Sequence, residues 1–303
     1  MESATTTTTI ALARERSLGA IVRDYVELTK PRIISLLLLT TVATMIVADR
    51  GFPPISTVLW TMLGGYLAAG GAGAINHYLD RDRDARMVRT QGRPLVSGRI
   101  EPLHGLAFGI ALGALATVQL AVTVNALAAA LALAGLLGYV VVYTVWLKPL
   151  TPQNIVIGGA AGAVPPLVGW AAATGGLAPE ALWPFGIVFL WTPPHFWALS
   201  LLIKDDYART GIPMLPVVKG EDATRRQIVA YTLILVAFTL APVATGFLGA
   251  IYAASAAILG GAFIVLAVRL LRHPARSAAL RLYLSSLVYL ALLFCAMAVD
   301  AVL

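Results

Sequence analysis

The sequence contains one cysteine, Cys295, among 303 residues. That excludes an internal disulfide and any metal centre built from several thiolates, and leaves Cys295 as a small side chain in the last apolar run. Charge is scarce too. Asp, Glu, Lys and Arg make up 12% of the chain, against about 25% in a soluble globular domain. With 59% hydrophobic residues, the chain lacks the polar surface a water-soluble globule needs. Pro102 to Leu147, Pro149 to Pro179, Ala181 to Ile203 and Gln227 to Val268 carry no charge at all. Each holds one or two of the ~20-residue apolar segments that cross hydrocarbon. The chain also lacks a compact basic-then-apolar leader with a cleavage site. Residues 1–30 read as a Thr-rich disordered tip followed by a short amphipathic segment on the cytoplasmic membrane surface.

What is present is a series of apolar helices. The expected fold is all-α, a polytopic membrane protein with one transmembrane domain over residues 31–303. Nine spans are expected near 33–48, 55–79, 104–122, 126–146, 154–174, 182–203, 228–247, 251–268 and 282–303. Gly64, Gly65, Gly70, Gly71 and Gly73 in the second span allow close helix approach. Pro165 and Pro166 in the fifth predict a bend, since proline frees helix carbonyls. A cytoplasmic N-terminus places every Lys and Arg except Arg50, out of 22, on the cytoplasmic side, which satisfies the positive-inside rule and puts the C-terminus outside. The net charge of +7 is therefore a topology signal, and no nucleic-acid partner is implied. Two charged cytoplasmic loops, 80–101 and 204–226, each follow an even-numbered span. Their acids, Asp80 and Asp205, are four spans apart, which suggests two parallel four-helix repeats plus one appended helix, converging on one cytoplasmic mouth.

Residues Asn76 to Leu95, NHYLDRDRDARMVRTQGRPL, concentrate charge directly after an apolar, glycine-rich stretch. On a continuing helix Asn76, Asp80 and Asp84 stand at i, i+4 and i+8 on one face. Two carboxylates and an amide in one stripe repel unless a cation lies between them, and Mg²⁺ prefers such oxygen ligands. Arg81, Arg83, Arg86, Arg89 and Arg93 add guanidiniums suited to phosphate oxygens. Together they fit a polyphosphate bridged by Mg²⁺, although a solvated loop between helices would share the composition. The tract from Trp191 to Gly220, WTPPHFWALSLLIKDDYARTGIPMLPVVKG, supplies His195, Lys204, Asp205, Asp206, Tyr207 and Arg209. A histidine inside a span faces the bundle interior, as a helix–helix hydrogen bond or as a substrate contact. Trp191, Phe196 and Trp197 offer aromatic faces that stabilise cations without supplying a nucleophile. A metal-and-arginine site opening onto a dry aromatic cavity suits ionisation of an allylic diphosphate, with water excluded from the carbocation.

At these two stretches the chain resembles the UbiA-type intramembrane prenyltransferases, over most of its length from TKPRIISLLLLTT at Thr29 to the last span. The Asn and two Asp at four-residue spacing belong to the superfamily pattern. PPHFW and GIPMLP resemble its haem-acceptor branch. The resemblance implies a nine-helix bundle, Mg²⁺ as cofactor, and transfer of a farnesyl group from farnesyl diphosphate to a vinyl substituent of haem b, with water adding to give the hydroxyethylfarnesyl side chain of haem o. It implies residence in the cell membrane and contact with the machinery that next modifies the haem or assembles it into an oxidase. Carried over by motif, Asn76, Asp80 and Asp84 are the Mg²⁺–diphosphate ligands, Arg89 and Arg93 diphosphate clamps, and His195 a haem-side residue, by iron ligation or polar contact.

The second tract departs from the family. Where many members have a fuller second aspartate ladder, this chain has Leu201, Leu202 and Ile203 before Lys204, Asp205 and Asp206, so a second carboxylate-held Mg²⁺ is not supported. Lys204 either adds its charge to the diphosphate or snorkels as a topology-setting lysine. Asp206 ranks with Asp80 and Asp84 as a catalytic candidate, ahead of Asp82 and Asp205, and Asp300 reads as interfacial. Two rivals remain at this stage. A prenyltransferase acting on an aromatic or quinone precursor shares every diphosphate-side feature, and a secondary transporter also suits a four-helix repeat with intramembrane Pro and His.

Overall fold

The computed structural model describes residues 17–303; the expected Thr-rich tip lies outside the described residues. Helix α1, Leu18–Thr29, starts at Ser17, whose Oγ accepts from Ala20 N at 3.3 Å. It ends where Lys30 turns into the left-handed region at φ 58° and Pro31 opens the next helix. Proline suits that first position, where no N–H is required. α1 turns Asp24, Leu28 and Thr29 inward and leaves Leu18, Val22 and Val26 exposed. Arg99 clasps its inner side, reaching Asp24 at 2.5 Å and Glu27 at 3.3 Å.

Nine helices among the described residues are long and apolar enough to cross a membrane, and the chain is a multi-pass membrane protein. In order they are α2 (Pro31–Asp49), α3 (Ile55–Asp84), α4 (Pro102–Thr123), α5 (Ala126–Leu150), α6 (Asn154–Thr174), α7 (Leu182–Leu202), then, after the short α8 (Lys204–Arg209) and α9 (Leu215–Val218), α10 (Gly220–Ala244), α11 (Ala250–Arg272) and α12 (Arg276–Val302). The described residues form no strand. Several helices outrun the apolar stretches, because regular hydrogen bonding continues into charged sequence once the helix has left hydrocarbon. α3 runs on to Asp84, and α10 starts at Gly220 where apolarity begins only at Ile228. The second charged loop is therefore largely helical. At Pro165 and Pro166, where a bend is expected, α6 continues through both prolines, as α7 continues through Pro193 and Pro194.

Small residues set the tightest crossings. A Cβ on Gly71 would stand 2.7 Å from Gly109 O and 2.9 Å from Gly113 N, fixing α3 against α4. Gly169 on α6 meets the Thr41 carbonyl of α2 so closely that no side chain fits. α2 packs on α6 and on α12, and α7 packs on α6, α10 and α12. The largest core cluster draws on α7, α10, α11 and α12, with Trp197, Phe263, Tyr289 and Phe294 buried. Asp300 has a definite task at the far end of α12: its carboxylate accepts from Gly249 N at 2.5 Å and Tyr252 N at 3.1 Å, capping α11.

One departure from regular geometry was not legible in the sequence. Gly138–Leu147 of α5 is wound as a π-helix, and the Thr144 hydroxyl donates to Tyr139 O at 2.9 Å across the widened turn. π segments inside α-helices frequently mark functional sites. This one carries Thr144, and just after it Lys148, onto the charged end of α3.

Candidate functional site

The end of α3 brings Asn76, Asp80 and Asp84 onto one buried stripe, 4%, 1% and 4% exposed. Buried carboxylates require cations or donors, and this site supplies them from four places in the sequence. Asn76 Nδ2 donates to Asp80 Oδ2 at 2.8 Å and to Thr144 Oγ1 at 3.1 Å. Lys30 Nζ donates to Asn76 Oδ1 at 2.7 Å, and Lys148 Nζ to Asp80 Oδ2 at 2.5 Å. Arg83 reaches Asp80 Oδ1 at 3.3 Å, and Arg93 pairs with Asp84. Thr90 Oγ1 donates to Asp84 O at 2.8 Å, closing the helix end where α3 stops.

The two lysines entered the sequence reading only as topology-setting charges. Each adjoins a proline at a helix junction, Lys30–Pro31 and Lys148–Pro149. That neighbour was the available signal, since proline fixes where the chain, and so its last charge, leaves the helix. Burial, with Arg93 and Lys148 close by, pulls the Lys30 ammonium down to about 7. Its left-handed backbone is a conformation that a non-glycine residue holds at a cost of about 1–3 kcal/mol.

The second charged tract divides between two places. Asp206, buried, pairs with Arg209 and accepts from Val88 N at 3.3 Å, which ties the two charged loops together. Tyr207 is buried beside it, with Arg89 and Asp80 in range, and burial pushes its phenol up to about 12. Arg89 itself is exposed and enters no ion pair among the described residues. Lys204 points elsewhere, pairing at 2.5 Å with Glu221, which also binds Arg225. The structure thus gathers Asn76, Asp80, Asp84 and Arg93, joins Asp206 to the same loop, and sets Lys204 apart.

His195 lies within the bundle, between α7 and α12. Its ring stacks on Trp191 at 4.1 Å and leans on Tyr283 at 4.9 Å. Nδ1 is 2.6 Å from Ser286 Oγ, which donates its own proton to Tyr283 O at 2.6 Å. Ser286 therefore accepts from Nδ1–H, and the lone pair is left on Nε2. Trp191 Nε1 secures the same turn by donating to Ser286 O at 2.8 Å. A histidine whose Nδ1 is fixed by a hydrogen bond presents Nε2 in the form that ligates metals.

The site therefore offers hard oxygen donors on α3, half-buried cations from the α1–α2 junction, α5 and the first loop, and an oriented imidazole farther into the bundle. Residues 37–295 match the model of the UbiA prenyltransferase family. A protoheme IX farnesyltransferase of Roseiflexus sp. (strain RS-1) is 58% identical over 93% of this chain and 53% of its own length. The chain thus spans about half the length of the first relatives it matches, although one from Symbiobacterium thermophilum with the same name, 53% identical, is matched over 96% of this chain and 98% of its own. Among solved structures, a digeranylgeranylglyceryl phosphate synthase superposes with TM-score 0.76 at 19% identity, covering 93% of this chain and 99% of that one. A UbiA homologue from Archaeoglobus fulgidus bound to DMAPP and Mg²⁺ superposes with TM-score 0.63 at 16% identity over 91% and 99% of the two chains; at these identities both speak for the fold alone. Family model, extended identity and helix architecture agree with one another, and the chain belongs to the UbiA prenyltransferase family.

Proposed function

We propose that this protein transfers the farnesyl group of farnesyl diphosphate to a vinyl group of haem b, giving haem o. The observation that carries the reading is the buried Asn76–Asp80–Asp84 stripe with its ring of Lys30, Lys148, Arg83 and Arg93. The protoheme IX farnesyltransferase name shared by relatives at 50–58% identity supports haem as acceptor, as does the poised Nε2 of His195.

Mg²⁺ fits this donor set. Among the described residues no three His, Cys, Asp or Glu side chains form a protein-only cage. That suits an ion usually held by one or two carboxylates together with substrate phosphates. Asn76, Asp80 and Asp84 would hold it, and when bound it supplies positive charge to the leaving diphosphate. Lys30, Lys148 and Arg93 bind the diphosphate oxygens from the bundle side, and Arg89 closes from the exposed loop. Asp206 orients that loop through Val88 N and Arg209. As the farnesyl C–O bond breaks, its electron pair departs with the diphosphate. The vinyl π electrons then form the new C–C bond, and water adds to the resulting cation with loss of a proton, leaving the hydroxyl. Tyr139 and Tyr143, stacked with centroids 5.5 Å apart on the π segment, face the cation with aromatic surface and keep bulk water from it. His195 holds haem by its iron or by a polar contact.

The same reading sets the mouth on the cytoplasmic side of the cell membrane, with the N-terminus inside and the C-terminus outside, and treats α2–α5 and α6–α11 as parallel repeats with α12 appended. The product is more lipophilic than haem b and stays in the bilayer for the machinery that uses it. The test is to supply the purified full chain with haem b, farnesyl diphosphate and Mg²⁺ and look by mass for hydroxyethylfarnesyl haem. Asp80→Ala and Asp84→Ala proteins should make none. Prenylation of a quinone precursor in place of haem would overturn the acceptor assignment and leave the diphosphate site standing.

A further inference from the structure

A polar cavity, of about 250 Å³, lies away from the α3 stripe, where α7, α10, α11 and α12 end on the side of the charged loops. Leu201 and Leu270 form apolar wall, and Lys204, Glu221, Arg225 and Arg276 supply the polar lining. The cations have capacity to spare. Lys204 uses one ammonium hydrogen on Glu221. Arg225, 8% exposed, places its two terminal nitrogens on Glu221 and Asp222 and leaves Nε without a partner. Arg276 donates once, to Leu202 O at 2.9 Å, satisfying a carbonyl at the end of α7. Arg276, like Arg269, Arg272 and Arg281 outside the lining, forms no ion pair among the described residues, and no acidic residue occurs from Ala250 to Val299. Topology alone would be served by arginines on an open surface; it requires no cavity.

We propose that this cavity binds the phosphate of an anionic phospholipid from the adjoining leaflet. What selects a lipid over a soluble anion is the surface that leads away from it. From Arg276 an i+4 row on α12 continues through Leu280, Leu284 and Val288, exposed by 45%, 49% and 56%. An acyl chain lies along such a row while its phosphate meets the cations at the interface, and basic pockets between transmembrane helices suit anionic head groups. Lys204 thereby serves lipid binding and not the prenyl diphosphate.

The probe is phosphatidylglycerol against phosphatidylcholine, presented to the full chain in mixed nanodiscs, with retained lipid counted by native mass spectrometry. The wild type should keep one phosphatidylglycerol in preference to phosphatidylcholine. Arg276→Gln should lower that retention about tenfold, the weight of one charge-assisted hydrogen bond. Arg276→Lys should keep most of it, and Arg281→Gln, outside the cavity, should change nothing. If Arg276→Gln fails to fold, Lys204→Gln carries the same expectation. Equal retention of the two lipids, or retention indifferent to Arg276 and Lys204, would overturn the proposal. So would displacement of the lipid by millimolar inorganic phosphate, which would make this a soluble-anion site.

Discussion

Lys148 and Asp80 show how closely function and stability are joined at single residues. Asp80 is almost wholly buried, and Lys148 meets it at 2.5 Å. Removing one partner of a buried pair leaves an uncompensated charge and costs about 3–5 kcal/mol, whereas replacing both is far milder. Lys148→Met should therefore lower the thermal unfolding midpoint in detergent strongly, and adding Asp80→Asn should recover most of the loss. Prenyl transfer should be absent in both proteins, so the pair of measurements separates the structural from the chemical share of the contact. Failure of the double variant to recover stability would count against the pair as the main source of the defect. The acid of this pair was legible as part of an i, i+4, i+8 row that a solvated loop could also have carried, and α3 places that row on a buried stripe. The lysine was not. A cation at a cytoplasmic helix end has the same sequence appearance whether it sets topology or enters a site. Lys30 and Lys204 illustrate both outcomes, one reaching Asn76 and the other turning to Glu221.

Among the elements, hydropathy placed all nine spans, since crossing hydrocarbon demands long uncharged runs and little else produces them. It could not reveal the π winding of Gly138–Leu147. A nearly all-apolar stretch carries no periodicity from which to read a change of turn. Glycines were likewise visible as a class but not individually. On α6, Gly169 lies against the Thr41 carbonyl of α2, whereas a Cβ on Gly162 would meet nothing within 4 Å. Gly169→Ala should force α2 and α6 apart and reduce the yield of folded protein. Gly162→Ala should be tolerated or stabilising by about 0.5–1 kcal/mol, because alanine favours a helix interior. Comparing size-exclusion profiles and unfolding midpoints of the two proteins checks this, and equal behaviour would mean that the α2–α6 crossing yields.

For the molecule as a whole, the proposed orientation rests on the distribution of charge. Every Lys and Arg but Arg50 falls on one side of a nine-span reading, and Arg50 is engaged at its own end by Phe247, donating to the carbonyl at 3.1 Å and lying 4.5 Å above the ring. A reporter active only in the cytoplasm should work when fused after Ser17 and fail after Leu303, and a reporter active only outside should do the reverse. The same result for both ends would require an even number of crossings.

The ion pairs around the α3 stripe have a further consequence. On this face two carboxylates, Asp80 and Asp84, stand among four basic side chains, Lys30, Lys148, Arg83 and Arg93, so the helix end carries a surplus of positive charge. On the proposed reading, admitting a polyanion is an exchange of partners: ammonium and guanidinium groups would turn from carboxylates to phosphates, and the carboxylates they release would become free to take a divalent ion in the same event. Substrate and metal would on this account enter together, the polyanion drawn by the surplus of basic groups and the metal by the carboxylates those groups release.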